Sequence, residues 1–181
     1  MPAASHLPPS SLSIGLPPIE NPAARVLILG SMPGIASLRA GQYYAHPRNQ
    51  FWPIMGQLLA AELTVLAYPA RVQALTDAGL ALWDVLQSCQ RPGSLDADIA
   101  PASIVANDFA AFFQRHPTIT HVYFNGAAAA QHFNRHVQPR LTHPVLNFQR
   151  LPSTSPAHAG MNFQTKLAAW RAIVEILGQT E

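Results

Sequence analysis

Three short polar segments hold most of the residues able to do chemistry. The densest is Gly41-Gln42-Tyr43-Tyr44-Ala45-His46-Pro47-Arg48-Asn49-Gln50-Phe51-Trp52. Aromatic faces stack on nucleobases, and amides bond base edges or position a water. The same residues can also form a surface loop pinned to the core by Phe51 and Trp52, with Asn49 capping the helix that follows. The second segment is Gly30-Ser31-Met32-Pro33-Gly34-Ile35-Ala36-Ser37, directly after a buried apolar run. Small residues there let the backbone approach a ligand, and a helix starting nearby would offer N–H groups to an anion. It is neither a P-loop nor a G-x-G-x-x-G turn. The third is Leu151-Pro152-Ser153-Thr154-Ser155-Pro156-Ala157-His158, where hydroxyls between prolines suit phosphate oxygens or the cap of the last helix.

Other chemistries find less support. Lys166 is the one lysine, several residues beyond the third segment, so Schiff-base chemistry through a side-chain amine is not expected. His132 and His136 stand four apart, with His121 and His143 nearby in sequence, but no carboxylate or further sulfur ligand completes a metal set. Ser153 or Ser155 with His158 lacks the G-x-S-x-G elbow of a hydrolase. Asp84, at the end of an apolar run, reads as a loop-capping acid more than as a reader of bases. Arg39, Arg48, Arg91 and Arg150 fall in or near the polar segments and would give them a small basic rim.

These segments need elements to position them. Short apolar runs at 26–29, 80–86, 121–125 and 144–148 read as buried strands. Helical spacing covers 51–63, 69–78, 107 or 108 to 116, 127–136 and 161–177. Residues 30–50 and 87–106 read as loops. Strands alternating with helices favour a parallel sheet covered on both faces, with ligands bound outside the carboxyl ends of the strands. The polar segments all follow such ends.

Composition bounds the rest. The chain has 181 residues, 49% of them hydrophobic, enough for one domain with a real core. Charged residues make up 11%, against about 25% in an average domain. A net charge of +2 permits a polyanionic partner without demanding one. Residues 1–22 hold six of the 17 prolines and read as a loose arm, leaving a single domain over 23–181. Within the arm, Leu16 and Ile19 could still pack on the body. A lone cysteine, Cys89, excludes a disulfide framework and favours a reducing compartment. No apolar run is long enough to span a membrane and no secretory signal is evident, so a cytoplasmic monomer is expected.

Taken together, Gly-Ser-Met-Pro-Gly after a strand, Gly-Gln-Tyr-Tyr-x-His-Pro-x-Asn-x-Phe-Trp and Pro-Ser-Thr-Ser-Pro-Ala resemble the uracil-DNA glycosylase superfamily over about residues 15–177. Within it the pattern is most similar to the sixth branch, the hypoxanthine-DNA glycosylases, with the mismatch-specific uracil/thymine branch related. The resemblance implies an α/β fold, three-layer α/β/α around a central four-stranded, mainly parallel sheet. It implies a monofunctional enzyme that hydrolyses the N-glycosidic bond of a deaminated base flipped out of DNA, needing no metal and no cofactor. It carries Asn49 over as the catalytic amide and Tyr44 as the aromatic that stacks on the base. Met32 stands where several other branches carry an Asn or Asp that positions water, a departure the hypoxanthine branch shares. Gly30, Ser31, Met32, Pro33, Gly34 and Asn125 would line the base site. Arg48, Ser153, Thr154 and Ser155 would grip DNA, and His158 would approach the base, although relatives often have Asn there. Two alternatives stay open, a mismatch-specific uracil/thymine glycosylase and a DNA-binding module without catalysis.

Overall fold

The computed structural model of the chain describes residues 12–142 and 145–178. Its centre is a sheet of β2 (Val26–Gly30), β3 (Leu80–Asp84), β6 (His121–Asn125) and β7 (Asn147–Leu151), in the order β3-β2-β6-β7. All three pairings are parallel. Every residue of β2 and β3 is buried, which is why these strands read as unbroken apolar runs. A smaller antiparallel sheet joins β1 (Leu12–Ile14), β4 (Leu86–Gln90) and β5 (Val105–Ala106), in the order β1-β4-β5.

Helices cover both faces of the main sheet. On one, α4 (Phe109–Arg115) and α5 (Ala127–His136) pack an aromatic cluster. Phe109 meets Trp83 of β3 and Phe133 of α5, and Phe124 of β6 meets Phe133, all at centroid distances of 5.1–5.4 Å. Each such ring, once buried, contributes about 1.5–3 kcal/mol. On the other face lie α2 (Phe51–Leu58), α3 (Tyr68–Asp77), α6 (Phe163–Trp170) and α7 (Ala172–Gly178). Phe51 packs edge-on against Trp170, Trp52 against Tyr68, and the Tyr123 hydroxyl donates to the Ala172 carbonyl. Local signals set the helix ends. Asp108 caps α4 by accepting from the Ala111 N–H, Asn162 caps α6 through Thr165, and Pro69 sits in the first turn of α3.

The three-layer architecture is the expected one, with differences in detail. The fourth strand runs 147–151 where 144–148 was expected, and Pro144 lies outside the described residues. It is an edge strand with four exposed residues, so apolarity does not mark it. The segment 30–50 contains α1 (Ile35–Ala40), and 87–106 contains most of β4, all of β5 and two single 3₁₀ turns. The helix expected over 161–177 is two helices, α6 and α7, meeting at Arg171. Residues 1–11 of the expected arm lie outside the described residues, whereas 12–22 are tied to the body. Tyr43 donates to the Pro17 carbonyl, Trp83 Nε1 to that of Leu16, Ile19 pairs with Leu82, and Glu20 meets the buried His116 at 2.7 Å.

Candidate active site

At the carboxyl ends of β2, β3, β6 and β7, a concave cavity of about 160 Å³ draws together all three polar segments. Its lining includes Gly30, Ser31, Met32, Pro33 and Gly34 from the first, Tyr43, Tyr44, His46 and Asn49 from the second, and Ser153, Thr154 and Ser155 from the third. Asn125 enters from the end of β6, and Asp84 from the end of β3. Parallel strands put their carboxyl ends on one side, so segments far apart in sequence converge there.

Asn49 makes an Asx turn into α2. Its Oδ1 accepts the Phe51 N–H at 2.9 Å, which identifies that end of the amide as oxygen. The turn uses Oδ1 alone, so capping is compatible with a role for Nδ2 in the cavity that Asn49 lines. Tyr44 is held with φ 55°, a left-handed conformation unusual for a residue with a bulky side chain. One ring face stacks on Phe51, with centroids 4.1 Å apart and planes at 23°. Burial drives its phenol well above the ordinary tyrosine range, so it is neutral.

Asn125 ties this loop to the third segment. Its Nδ2 donates to the Tyr44 hydroxyl at 3.1 Å and to Thr154 Oγ1 at 2.9 Å, and its Oδ1 accepts the Thr154 N–H at 2.9 Å. Both amide protons are committed within the protein, so the arrangement suits Asn125 to fixing the cavity wall. Thr154 is fully buried in this network, and the hydroxyls on the rim are those of Ser153 and Ser155. Gly126, with φ 94°, lets Ser153 lie close against it; a Cβ on Gly126 would come within 2.9 Å of the Ser153 Cβ.

Helix α6 holds the third segment from behind. Lys166, 2% exposed, donates from Nζ to the His158 carbonyl at 2.8 Å, and Trp170 Nε1 donates to that of Pro152 at 2.9 Å. Burial lowers the Lys166 pKa. Lys166 and His158 are both absent from the cavity lining, and the His158 side chain is exposed. Arg48 is exposed on the loop outside the cavity, as are Arg39 and Arg150 at their positions. Arg91 does not join a basic rim. It is 1% exposed and donates to the Pro33 and Ser94 carbonyls, pinning the first segment. Ser94 Oγ accepts the Ile35 N–H, so the first N–H of α1 is bonded within the protein.

Asp84 differs most from expectation. It does not cap a loop; it forms part of the cavity lining and is 4% exposed. Its Oδ2 has no hydrogen-bond partner among the described residues. It lies beside Gly30 in the parallel register, and its Oδ1 would sit 2.4 Å from any Cβ at position 30. Glycine on β2 leaves room for this carboxyl, which a Cβ there would force to shift. Burial, and next the nearby Asp96, push its pKa up to about 7, against a smaller lowering by Arg91. Among the described residues no group of three metal-ligating side chains occurs, and no helix is long and apolar enough to cross a membrane; His143 lies outside them.

The chain resembles known proteins over nearly its whole length. The family model described as the uracil DNA glycosylase superfamily matches residues 17–177. A Methanosarcina barkeri protein named hypoxanthine DNA glycosylase is 36% identical over 118 residues, 65% of this chain and 73% of its own. A Methanosarcina acetivorans protein of the same name is 31% identical over 159 residues, 88% of this chain and 96% of its own. A solution NMR structure from Methanosarcina acetivorans, described as a candidate uracil DNA glycosylase, aligns with a TM-score of 0.78 and 28% identity. It covers 93% of this chain and 100% of that one.

Proposed function

The chain belongs to the uracil DNA glycosylase superfamily and is a DNA glycosylase, and we propose that the base it releases is hypoxanthine, as the names of its two Methanosarcina relatives suggest. One observation carries the reading at this site: the cavity at the strand ends combines a strained, stacked Tyr44 with the free amide donor of Asn49.

The flipped base enters against the face of Tyr44 that does not stack on Phe51. Cleavage builds positive charge on the sugar and negative charge on the departing base. Asn49 Nδ2 is a donor fixed in advance by the Asx turn, so it stabilises that negative charge without reorganising. The backbone of Gly30 to Gly34 shapes the adjoining wall. Ser153 and Ser155 on the rim, with Arg48 farther out, contact the DNA phosphates, while Thr154 and Asn125 keep the rim in register with the cavity. His158, exposed beyond Ser155, belongs with the DNA-facing loop in this reading.

The enzyme is monofunctional in this reading, because its one lysine side chain is buried behind the third segment and bonded to a carbonyl. It acts as a monomer in the cytoplasm, where a single buried free cysteine is at home. The test is base release from labelled duplexes carrying one hypoxanthine, uracil, mismatched thymine or ethenocytosine, followed by alkali. Release of hypoxanthine is the expected result. Release of uracil or thymine alone would move the substrate to the mismatch-specific branch, and release of nothing with DNA binding intact would leave a binding module.

A further inference from the structure

The mechanism above leaves unused the one titratable side chain on the inner wall of the cavity that has an unpartnered buried atom. We propose that the Asp84 carboxyl contacts the extruded base directly and, as the glycosidic bond breaks, donates a proton to it as general acid. The proposal rests on the reading of the chain as a base-releasing enzyme and assigns it a second catalytic group.

Three observations place it there. Asp84 is part of the cavity lining at the carboxyl end of β3, next to the strand end that starts the first segment. Its Oδ2 is buried with no partner among the described residues, which costs free energy unless a ligand supplies one. Gly30 has no side chain, and any Cβ there would collide with Oδ1, so the backbone is shaped around this acid.

Burial favours the protonated form of Asp84 below about pH 7. Asp96 on the rim raises the proton affinity. Arg91, the cation that lowers it, lies 4.0 Å from Asp96 and is engaged with the Pro33 and Ser94 carbonyls. Tyr43 and Tyr44 face the same carboxyl as neutral phenols. A neutral carboxyl is a donor, whereas a carboxylate would repel the charge that develops on the base.

The step balances without another reagent. The C1′–N9 bond breaks with its electron pair passing to the base. The base takes the Asp84 proton at a ring nitrogen and leaves neutral. Water gives its oxygen to C1′, and the proton it sheds restores the carboxyl.

Single-turnover release of hypoxanthine from duplex DNA, measured from pH 5 to 9, tests this in wild type, Asp84→Asn and His46→Gln. The expected wild-type rate falls about tenfold per pH unit above about 7. Asp84→Asn is expected to bind the duplex normally, to be slowed about 100-fold at pH 6, and to lose the pH dependence. His46→Gln, altered at the histidine that lines the same cavity, keeps the falling limb. An active wild type with a flat profile overturns the proposal whether or not Asp84→Asn folds. So does an unchanged profile in Asp84→Asn, or loss of the limb in His46→Gln. A wild type that releases no base at any pH instead overturns the functional reading beneath it, and the proposal falls with it.

Discussion

At the scale of single residues, the proposed reaction and the fold draw on different ends of one side chain. Asn49 gives its oxygen to the Phe51 N–H, which leaves its nitrogen for the role proposed in the cavity. The two roles separate by substitution. Asn49→Asp keeps the acceptor and loses the donor, so a thermal melt should show a stability change within about 0.5 kcal/mol while base release falls about 10²–10³-fold. Asn49→Ala should lose the same activity and about 1 kcal/mol of stability besides. Asp84 gives a prediction of opposite sign. Its folded pKa of about 7 lies above its ordinary value of 3.8, so its contribution to stability is lost as pH rises between those values. Asp84→Asn removes that loss. Its melting temperature should exceed that of wild type by at least about 4 °C at pH 8, with the gap narrowing toward pH 4. Equal melting temperatures across that range would contradict the buried, mostly neutral carboxyl. The cluster of polar and aromatic residues made the segment 41–52 conspicuous, and the family resemblance singled out Asn49 and Tyr44 within it. The sequence did not expose Asp84, because an acid after an apolar run is usually a solvated turn residue. Its burial depends on Gly30, more than fifty residues away.

At the scale of elements, the third segment is a short loop held at both sides. Asn125 grips Thr154 from β6, and Lys166 and Trp170 grip the His158 and Pro152 carbonyls from α6. Lys166→Met keeps the bulk of the side chain and removes the grip. Titration with duplex DNA should show binding weakened several-fold, with the single-turnover rate at saturating enzyme nearly unchanged. Borohydride added during turnover should trap no covalent adduct in wild type; a trapped adduct would contradict the monofunctional reading. The buried strands and most helices were legible because their burial leaves continuous or helically spaced apolar residues. The misplaced or missed elements share a different trait. Strand β7 is an edge with four exposed residues, β4 buries only Leu86 and Cys89 among Gln and Ser, and α1 is six residues long. Their existence follows from what they pair with or lie against, which local pattern does not encode.

At the scale of the whole molecule, a glycosylase with few charges must rely on its cavity more than on its surface. Net charge is +2, and Arg91, which looked available to DNA, is spent on holding the Pro33 backbone. Few phosphates can be neutralised, so the slope of log affinity against log salt concentration should be shallow, about −2 to −4 for duplex DNA. A slope near −8 would reveal a larger basic footprint than the one described. In the proposed mechanism, three segments meeting at the carboxyl ends of a parallel sheet form a base-release site in which Asn49 acts on the departing base. The most direct test measures hypoxanthine release from a single-lesion duplex by wild type and Asn49→Ala at saturating enzyme, with DNA binding followed in parallel. Wild type should release the base, and the variant should lose at least about 100-fold in rate with binding retained. Equal rates for the two proteins, or no release by wild type, would contradict this mechanism.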